Sequence, residues 1–222
     1  MFWLRAIALR VKICGLMRQQ DVNTALDSGA DAVGFVVASP SSPRNLSLEK
    51  ARKLMRTVPV FTAKVTVTSS DDLMVVRKLC RALRPEAVQL HHHNPGLIRR
   101  LRKMEPEVKF ILATALRDQS SLAEAKRSSR YSDAVLADTP SASGMGGTGK
   151  VHDWSLTARL RMEIYPRPLM MAGGLTPRNV QSAILRVRPF AVDVSSGVEE
   201  QIGLKDPVKV REFIMKAKEL AI

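Results

Sequence analysis

The 222 residues suffice for one domain with a sizeable core, and 45% hydrophobic with 25% charged residues is the balance of a globular chain rather than a disordered one. Lys and Arg outnumber Asp and Glu by 35 to 21, a formal charge of +14. The cations cluster on helix-patterned segments (Arg99, Arg100, Arg102, Lys103; Lys209, Arg211, Lys216, Lys218) without aromatic residues among them to stack bases, which favours a solvated basic surface over a nucleic-acid footprint.

The first ten residues mix Phe2, Trp3 and Ile7 with Arg5 and Arg10. Their apolar run is too short and interrupted for a signal peptide, and no stretch reaches transmembrane length. Residues 1–10 are therefore expected to be a short extension before a domain at 11–222, with no membrane partner. Two cysteines, Cys14 and Cys80, give no disulfide framework and suit a reducing cytoplasm.

From residue 11 onward, short β-branched runs alternate with amphipathic stretches. Strands are predicted at 11–14, 32–37, 63–68, 87–91, 110–113, 134–137, 169–172 and 191–194. Helices are predicted between and after them, at 19–28, 47–57, 70–83, 95–103, 119–129, 154–164, 177–187 and 207–220. Ser47 reads as a cap, Asp71 and Asp72 as acids of a first turn, and Thr176-Pro177 as a cap followed by proline at the first helical position. Strands separated by helices pair in parallel through right-handed crossovers. Eight units close a barrel, so the expected fold class is α/β, a single (β/α)8 barrel whose site lies where strands end and βα loops begin.

The strand ends supply the candidates. Cys14 ends the first strand; it suits a base or nucleophile once its pKa is lowered, and equally a small buried hydrophobe, the reading given to Cys80 among Val76, Leu79 and Leu83. After the second strand, Ser39-Pro40-Ser41-Ser42-Pro43-Arg44 presents Arg44 on a stiffened tether, for a carboxylate or a surface ion pair. The fourth strand ends in His91-His92-His93; with no acidic or cysteine partner nearby, His91 reads as a substrate-facing or structural residue before a metal ligand. Asp138 follows an apolar sixth strand, where core packing gives no reason for it and a general acid would fit. Gly144-Met145-Gly146-Gly147-Thr148-Gly149-Lys150 comes next, a loop able to move or to approach a ligand closely, or a plain flexible connection. Gly173-Gly174 and Ser196-Gly197, after the seventh and eighth strands, form together the usual phosphate cradle of such barrels.

Alternation along strands gives one further expectation. If Cys14 faces the barrel interior, so does Lys12, and on the neighbouring eighth strand Asp193 points inward while Val192 and Val194 face the helices. Neither charge is comfortable buried alone, so an ion pair is expected, close enough to Cys14 to favour its thiolate.

Taken in order, Lys12-Ile13-Cys14-Gly15, Gly34-Phe35, Ser42-Pro43-Arg44, Val88-Gln89-Leu90-His91, Gly146-Gly147-Thr148-Gly149-Lys150, Asp153-Trp154, Ala172-Gly173-Gly174-Leu175 and Asp193-Val194-Ser195-Ser196-Gly197-Val198-Glu199 with Gly203 and Lys205-Asp206 resemble the phosphoribosylanthranilate isomerase family over nearly all the chain after Arg10. The resemblance implies an Amadori rearrangement of a small phosphorylated substrate in tryptophan biosynthesis, with no cofactor and no metal, by a cytoplasmic monomer or homodimer. It implies Cys14 as general base, Asp138 as general acid, and Arg44, His91, Gly147, Gly173, Gly174, Ser196 and Gly197 as substrate contacts. Two departures stand out: Val65-Thr66-Val67-Thr68 is richer in hydroxyls than is usual in the third strand, and His92-His93 replace a glycine and an acidic residue. A sister barrel acting on the histidine-pathway aminoribotide would want aspartate in place of Cys14. Indole-glycerol-phosphate synthase would want a lysine and glutamates at other strand ends.

Overall fold

The computed structural model of the protein describes residues 9–91, 95–139 and 153–220. Eight strands, β1 (Arg10–Ile13), β2 (Ala32–Val36), β3 (Ala63–Thr68), β4 (Ala87–Leu90), β5 (Lys109–Ala115), β6 (Ala134–Asp138), β7 (Leu169–Met171) and β8 (Ala191–Val194), run parallel and close into a barrel. Around it lie α1 (Gln19–Asp27), α2 (Leu48–Met55), α3 (Leu73–Leu83), α4 (Pro95–Met104), α5 (Gln119–Ser129), α6 (Trp154–Ile164), α7 (Val180–Val187) and α8 (Pro207–Lys218). The expected (β/α)8 barrel is the observed fold. Beyond β8 a 3-10 turn (Ser196–Val198) leads into a hairpin of β9 (Glu199–Gln201) and β10 (Leu204–Lys205), which turns back before α8.

Strand alternation sorts the core into two layers. Val11, Ile13, Val33, Phe35, Val192 and Val194 pack outward against helix residues such as Val210 and Phe213. Cys14, Val36, Val65, Val67, Ile111, Ala113, Leu136 and Met170 make a separate inner cluster. The inner layer also holds charge: β1 and β8 pair with Lys12 opposite Asp193, and both side chains are buried.

Two helices begin later than the sequence suggests. The Asp72 carboxylate accepts from the backbone N–H groups of Met74 (2.7 Å) and Val75 (3.1 Å), so Asp72 is the cap of α3 and the residues before it stay outside the helix. At α7, Asn179 accepts from the Thr176 N–H at 2.8 Å and donates to the Gly174 carbonyl at 3.0 Å. That ties 174–179 into a turn, and the helix starts at Val180 rather than at Pro177. Ser47 caps α2 as expected, accepting from the Lys50 N–H at 3.2 Å. No helix among the described residues is long and apolar enough to cross a membrane.

Candidate active site

The C-terminal ends of the strands surround a cavity of about 640 Å³. Cys14, Arg44, His91, Asp138, Gly173, Gly174, Ser196 and Gly197, delivered by six different strand ends, all line it. Gly147 lies outside the described residues, as do His92 and His93. Among the described residues no group of three or more His, Cys, Asp or Glu side chains is placed to hold a metal ion.

Beneath the mouth sits the expected ion pair. The Lys12 Nζ donates to Asp193 Oδ1 at 2.9 Å and to Gln89 Oε1 at 3.0 Å. Burial opposes the charge on Lys12, but the Asp193 carboxylate, and Cys14 after it, outweigh burial and hold the ammonium above its usual range. β2 makes room for this arrangement with Gly34, where an added Cβ would lie 2.9 Å from Cys14 Sγ and 3.2 Å from Lys12 Cε. On Cys14 itself burial is the largest influence and pushes the thiol up; the Lys12 charge and hydrogen bond pull it down without overcoming burial. Lys12 therefore acts in the expected direction, but burial prevails and favours the thiol form of Cys14.

Asp138 ends β6 with its carboxyl mostly withdrawn from water. Burial raises it to about 6, against the Thr139 N–H that donates to Oδ1 at 2.7 Å; the Asp193 charge adds to the rise and Lys12 counters it. A carboxyl titrating there keeps a substantial protonated share near neutral pH, as a general acid requires.

Arg44 has a partner that the sequence reading did not foresee. Its Nε donates to Glu199 Oε1 at 2.8 Å and its Nη2 to Oε2 at 2.6 Å. Glu199 also accepts from Lys205 Nζ at 2.9 Å, and Lys205 donates to the Ser195 carbonyl at 3.0 Å. Burial works against the Glu199 charge, but Arg44 and then Lys205 hold its carboxyl below the usual range. The three side chains carry two positive charges and one negative, an excess of one cation beside the cavity. The pair uses two of the five guanidinium N–H donors, so Arg44 is fixed in place with three remaining.

After β7, Gly173 and Gly174 take φ of +82° and +66°, a backbone conformation that side-chain-bearing residues rarely adopt. They turn the chain sharply beside Ser196-Gly197, which open the 3-10 turn after β8. Glu199 and Lys205 belong to the motif recognised in the sequence, but their role depends on a hairpin that brings both arms to one point. Gln89 was likewise quoted there without a role.

Comparison with known proteins agrees with this fold. The family model described as "N-(5'phosphoribosyl)anthranilate (PRA) isomerase" matches residues 11–216. The N-(5'-phosphoribosyl)anthranilate isomerase of Methanothrix thermoacetophila is 44% identical, over 94% of this chain and 98% of that one. The crystal structure of phosphoribosyl anthranilate isomerase from Thermotoga maritima superposes with a TM-score of 0.85 at 39% identity, covering 96% of this chain and all of that one. A structure of the isomerase in complex with reduced 1-(o-carboxyphenylamino)-1-deoxyribulose 5-phosphate superposes at 0.81 with 37% identity, over 96% of this chain and 100% of that one. A family model matched from the first strand into the last helix, with a relative 44% identical over 94% of the chain, places this chain in the phosphoribosylanthranilate isomerase family.

Proposed function

We propose that the protein converts N-(5'-phosphoribosyl)anthranilate to 1-(2-carboxyphenylamino)-1-deoxyribulose 5-phosphate, an Amadori rearrangement in tryptophan biosynthesis that needs no cofactor. The observation that carries this reading is one cavity holding both a protonatable carboxyl and a thiol beside a buried lysine, with groups suited to anions on its rim. Asp138 donates its proton to the ribose ring oxygen; the C1–O bond breaks and the amine lone pair forms the C=N bond of a Schiff base. The Cys14 thiolate then takes the proton from C2, and the electron pair left behind gives an enolamine. Protonation at C1 and loss of the hydroxyl proton at C2 yield the ketone. Lys12 stabilises the thiolate while it exists. Arg44 takes the anthranilate carboxylate, His91 a substrate oxygen, and the turns Gly173-Gly174 and Ser196-Gly197, with Gly147, the phosphate end.

The catalytic unit is the barrel, which begins with Leu9 in the core and Arg10 in β1 rather than at residue 11. The protein works in the cytoplasm as a monomer or homodimer on a small metabolite, with no nucleic acid and no membrane. Binding of DNA or RNA that weakened steeply with salt would speak against this part.

The productive protein has Asp138 protonated and Cys14 ionised. Because the carboxyl titrates below the thiol, that form is a constant minor share between their two pKa values. kcat/KM should be level above pH about 6, falling on the acid side as Cys14 and Asp138 are both protonated and on the alkaline side as both ionise. Cys14→Ala and Asp138→Asn should each lower kcat by roughly 10²- to 10⁴-fold with little change in KM, followed by the loss of substrate fluorescence. Near-wild-type turnover in either variant rules out the assignment of that residue.

A further inference from the structure

The β9–β10 hairpin holds two points of the rim from behind. Glu199 and Lys205 face one another across its strands, both are buried, and neither is among the described residues that line the cavity. Lys205 Nζ donates to Glu199 Oε1 at 2.9 Å, to the Ser195 carbonyl at 3.0 Å and to Ser195 Oγ at 3.3 Å. An ammonium has three N–H donors, so this one keeps none for a ligand. Glu199 is thereby fixed on one side, and on the other its two oxygens take Nε and Nη2 of Arg44.

Arg44 needs such an anchor, because it stands on the loop between β2 and α2 and a long stem separates its guanidinium from the backbone. That stem crosses Gly15, where φ is +74° and an added Cβ would lie 2.5 Å from Arg44 Cδ and 2.9 Å from Ser195 Oγ. The glycine leaves a slot in which Arg44 and Ser195 lie side by side, and Ser195 leads into the turn Ser196-Gly197. At the end of the slot the Arg44 side chain is 11% exposed and that of Glu199 5%, so water competes for this pair far less than for an ion pair on the surface. Two parallel N–H···O bonds fix the plane of the guanidinium as well as its place. Its remaining donors belong to a residue that lines the cavity.

We propose that Glu199 is a positioning residue that sets the plane and place of the Arg44 guanidinium for the carboxylate of the substrate. The carboxylate contact rests on the function proposed above. What Glu199 supplies is geometry, not charge. Charge alone would act the other way: without a carboxylate between them, Arg44 and Lys205 would hold an anion more strongly.

Two substitutions separate these effects. Glu199→Asp keeps the charge beside Lys205 but draws the carboxylate back from Arg44 by one methylene, whereas Glu199→Gln removes the charge. Affinities are measured for the reduced product and for its counterpart without the carboxylate, alongside steady-state kinetics. Both variants should raise KM and weaken the carboxylate-bearing ligand about 10-fold, the size of one hydrogen bond to a charged group. Affinity for the counterpart and kcat should stay nearly unchanged, and neither substitution should raise KM further in Arg44→Ala. Wild-type affinity in Glu199→Asp, or tighter binding in Glu199→Gln, would overturn the proposal in favour of charge. An equal loss for both ligands would overturn it in favour of a general loosening of the mouth. A wild type that binds neither ligand would overturn the proposed function, and this role with it. If the variants do not fold, the wild type decides: a bidentate pair hinders rotation about the Arg44 Nε–Cζ bond, so its two Nη nitrogens should give separate ¹⁵N signals, assigned through Arg44→Lys. A single averaged signal would overturn the proposal.

Discussion

Asp138 is held by the fold in a state that the unfolded chain would not choose. A carboxyl raised from its ordinary value to about 6 binds protons more tightly folded than unfolded, so stability falls as pH rises through the window between those two values and stays lower above it. Asp138→Asn keeps an oxygen to accept from the Thr139 N–H and removes the buried charge. It should therefore raise stability near pH 7 by about 2–3 kcal/mol, a gain that vanishes below pH about 4, where the native carboxyl is neutral in both states. Thermal unfolding of both proteins at the two pH values checks this; equal Tm at pH 7 would mean that the carboxylate is well solvated. The variant would thus be more stable and nearly inactive, the trade-off expected of a strained catalytic group. Single residues differ in how far the sequence disclosed them. Cys14 and Asp138 were visible because the barrel rule marks strand ends, and Lys12–Asp193 because alternation and strand adjacency put them in one place. The bidentate pair of Arg44 with Glu199 was not, since it spans 155 positions and depends on where a two-residue strand turns back. Nor did alternation reveal that burial would outweigh Lys12 at Cys14, which is a matter of depth rather than order.

Among the elements, β3 carries the departure noted in the sequence, and its alternation says where the extra hydroxyls go. Val65 and Val67 face the inner cluster, which turns Thr66 and Thr68 outward beneath the helices. Thr68 Oγ1 donates to the Ala38 carbonyl at 3.3 Å and accepts from the Ser70 N–H at 3.2 Å, so it holds the β2 and β3 loops together. Thr66 is fully buried, and its hydroxyl has no partner among the described residues. A buried hydroxyl without a hydrogen bond costs more than a methyl of the same shape. Thr66→Val should therefore stabilise by about 1 kcal/mol and raise Tm by roughly 2–4 °C, with kcat unchanged. A lower Tm would show that the hydroxyl is bonded. Helix and strand positions were legible wherever periodicity ran to the element's end, as at α5 and α6, whose bounds agree with the sequence reading. The starts of α3 and α7 were not, because the side chains of Asp72 and Asn179 decide them through local hydrogen bonds that periodicity does not contain.

Over the whole molecule the excess of 14 positive charges lies mostly on helices outside the barrel, while the mouth carries Arg44 and Arg117. A field of one sign raises the local concentration of an oppositely charged metabolite, and the proposed substrate is anionic at both ends. kcat/KM should accordingly fall several-fold between low ionic strength and about 0.5 M salt, with kcat nearly constant, because screening shortens the reach of the field to a few ångströms. Measurement with a non-binding salt is the check, and a flat response would show that the outer helices do not contribute to capture.

The pairing of Lys12 with Asp193 also sets an order of events in time. These residues stand 181 positions apart and meet only when β8 settles against β1. During synthesis the chain makes its cysteine almost at once and the carboxylate that neutralises the neighbouring ammonium nearly last. Until then an incomplete sheet would have to bury Lys12 without its counter-ion, which the interior opposes. The seam of the barrel is therefore a completion signal: the reactive thiol acquires its electrostatic setting only in a chain that has been made to the eighth strand.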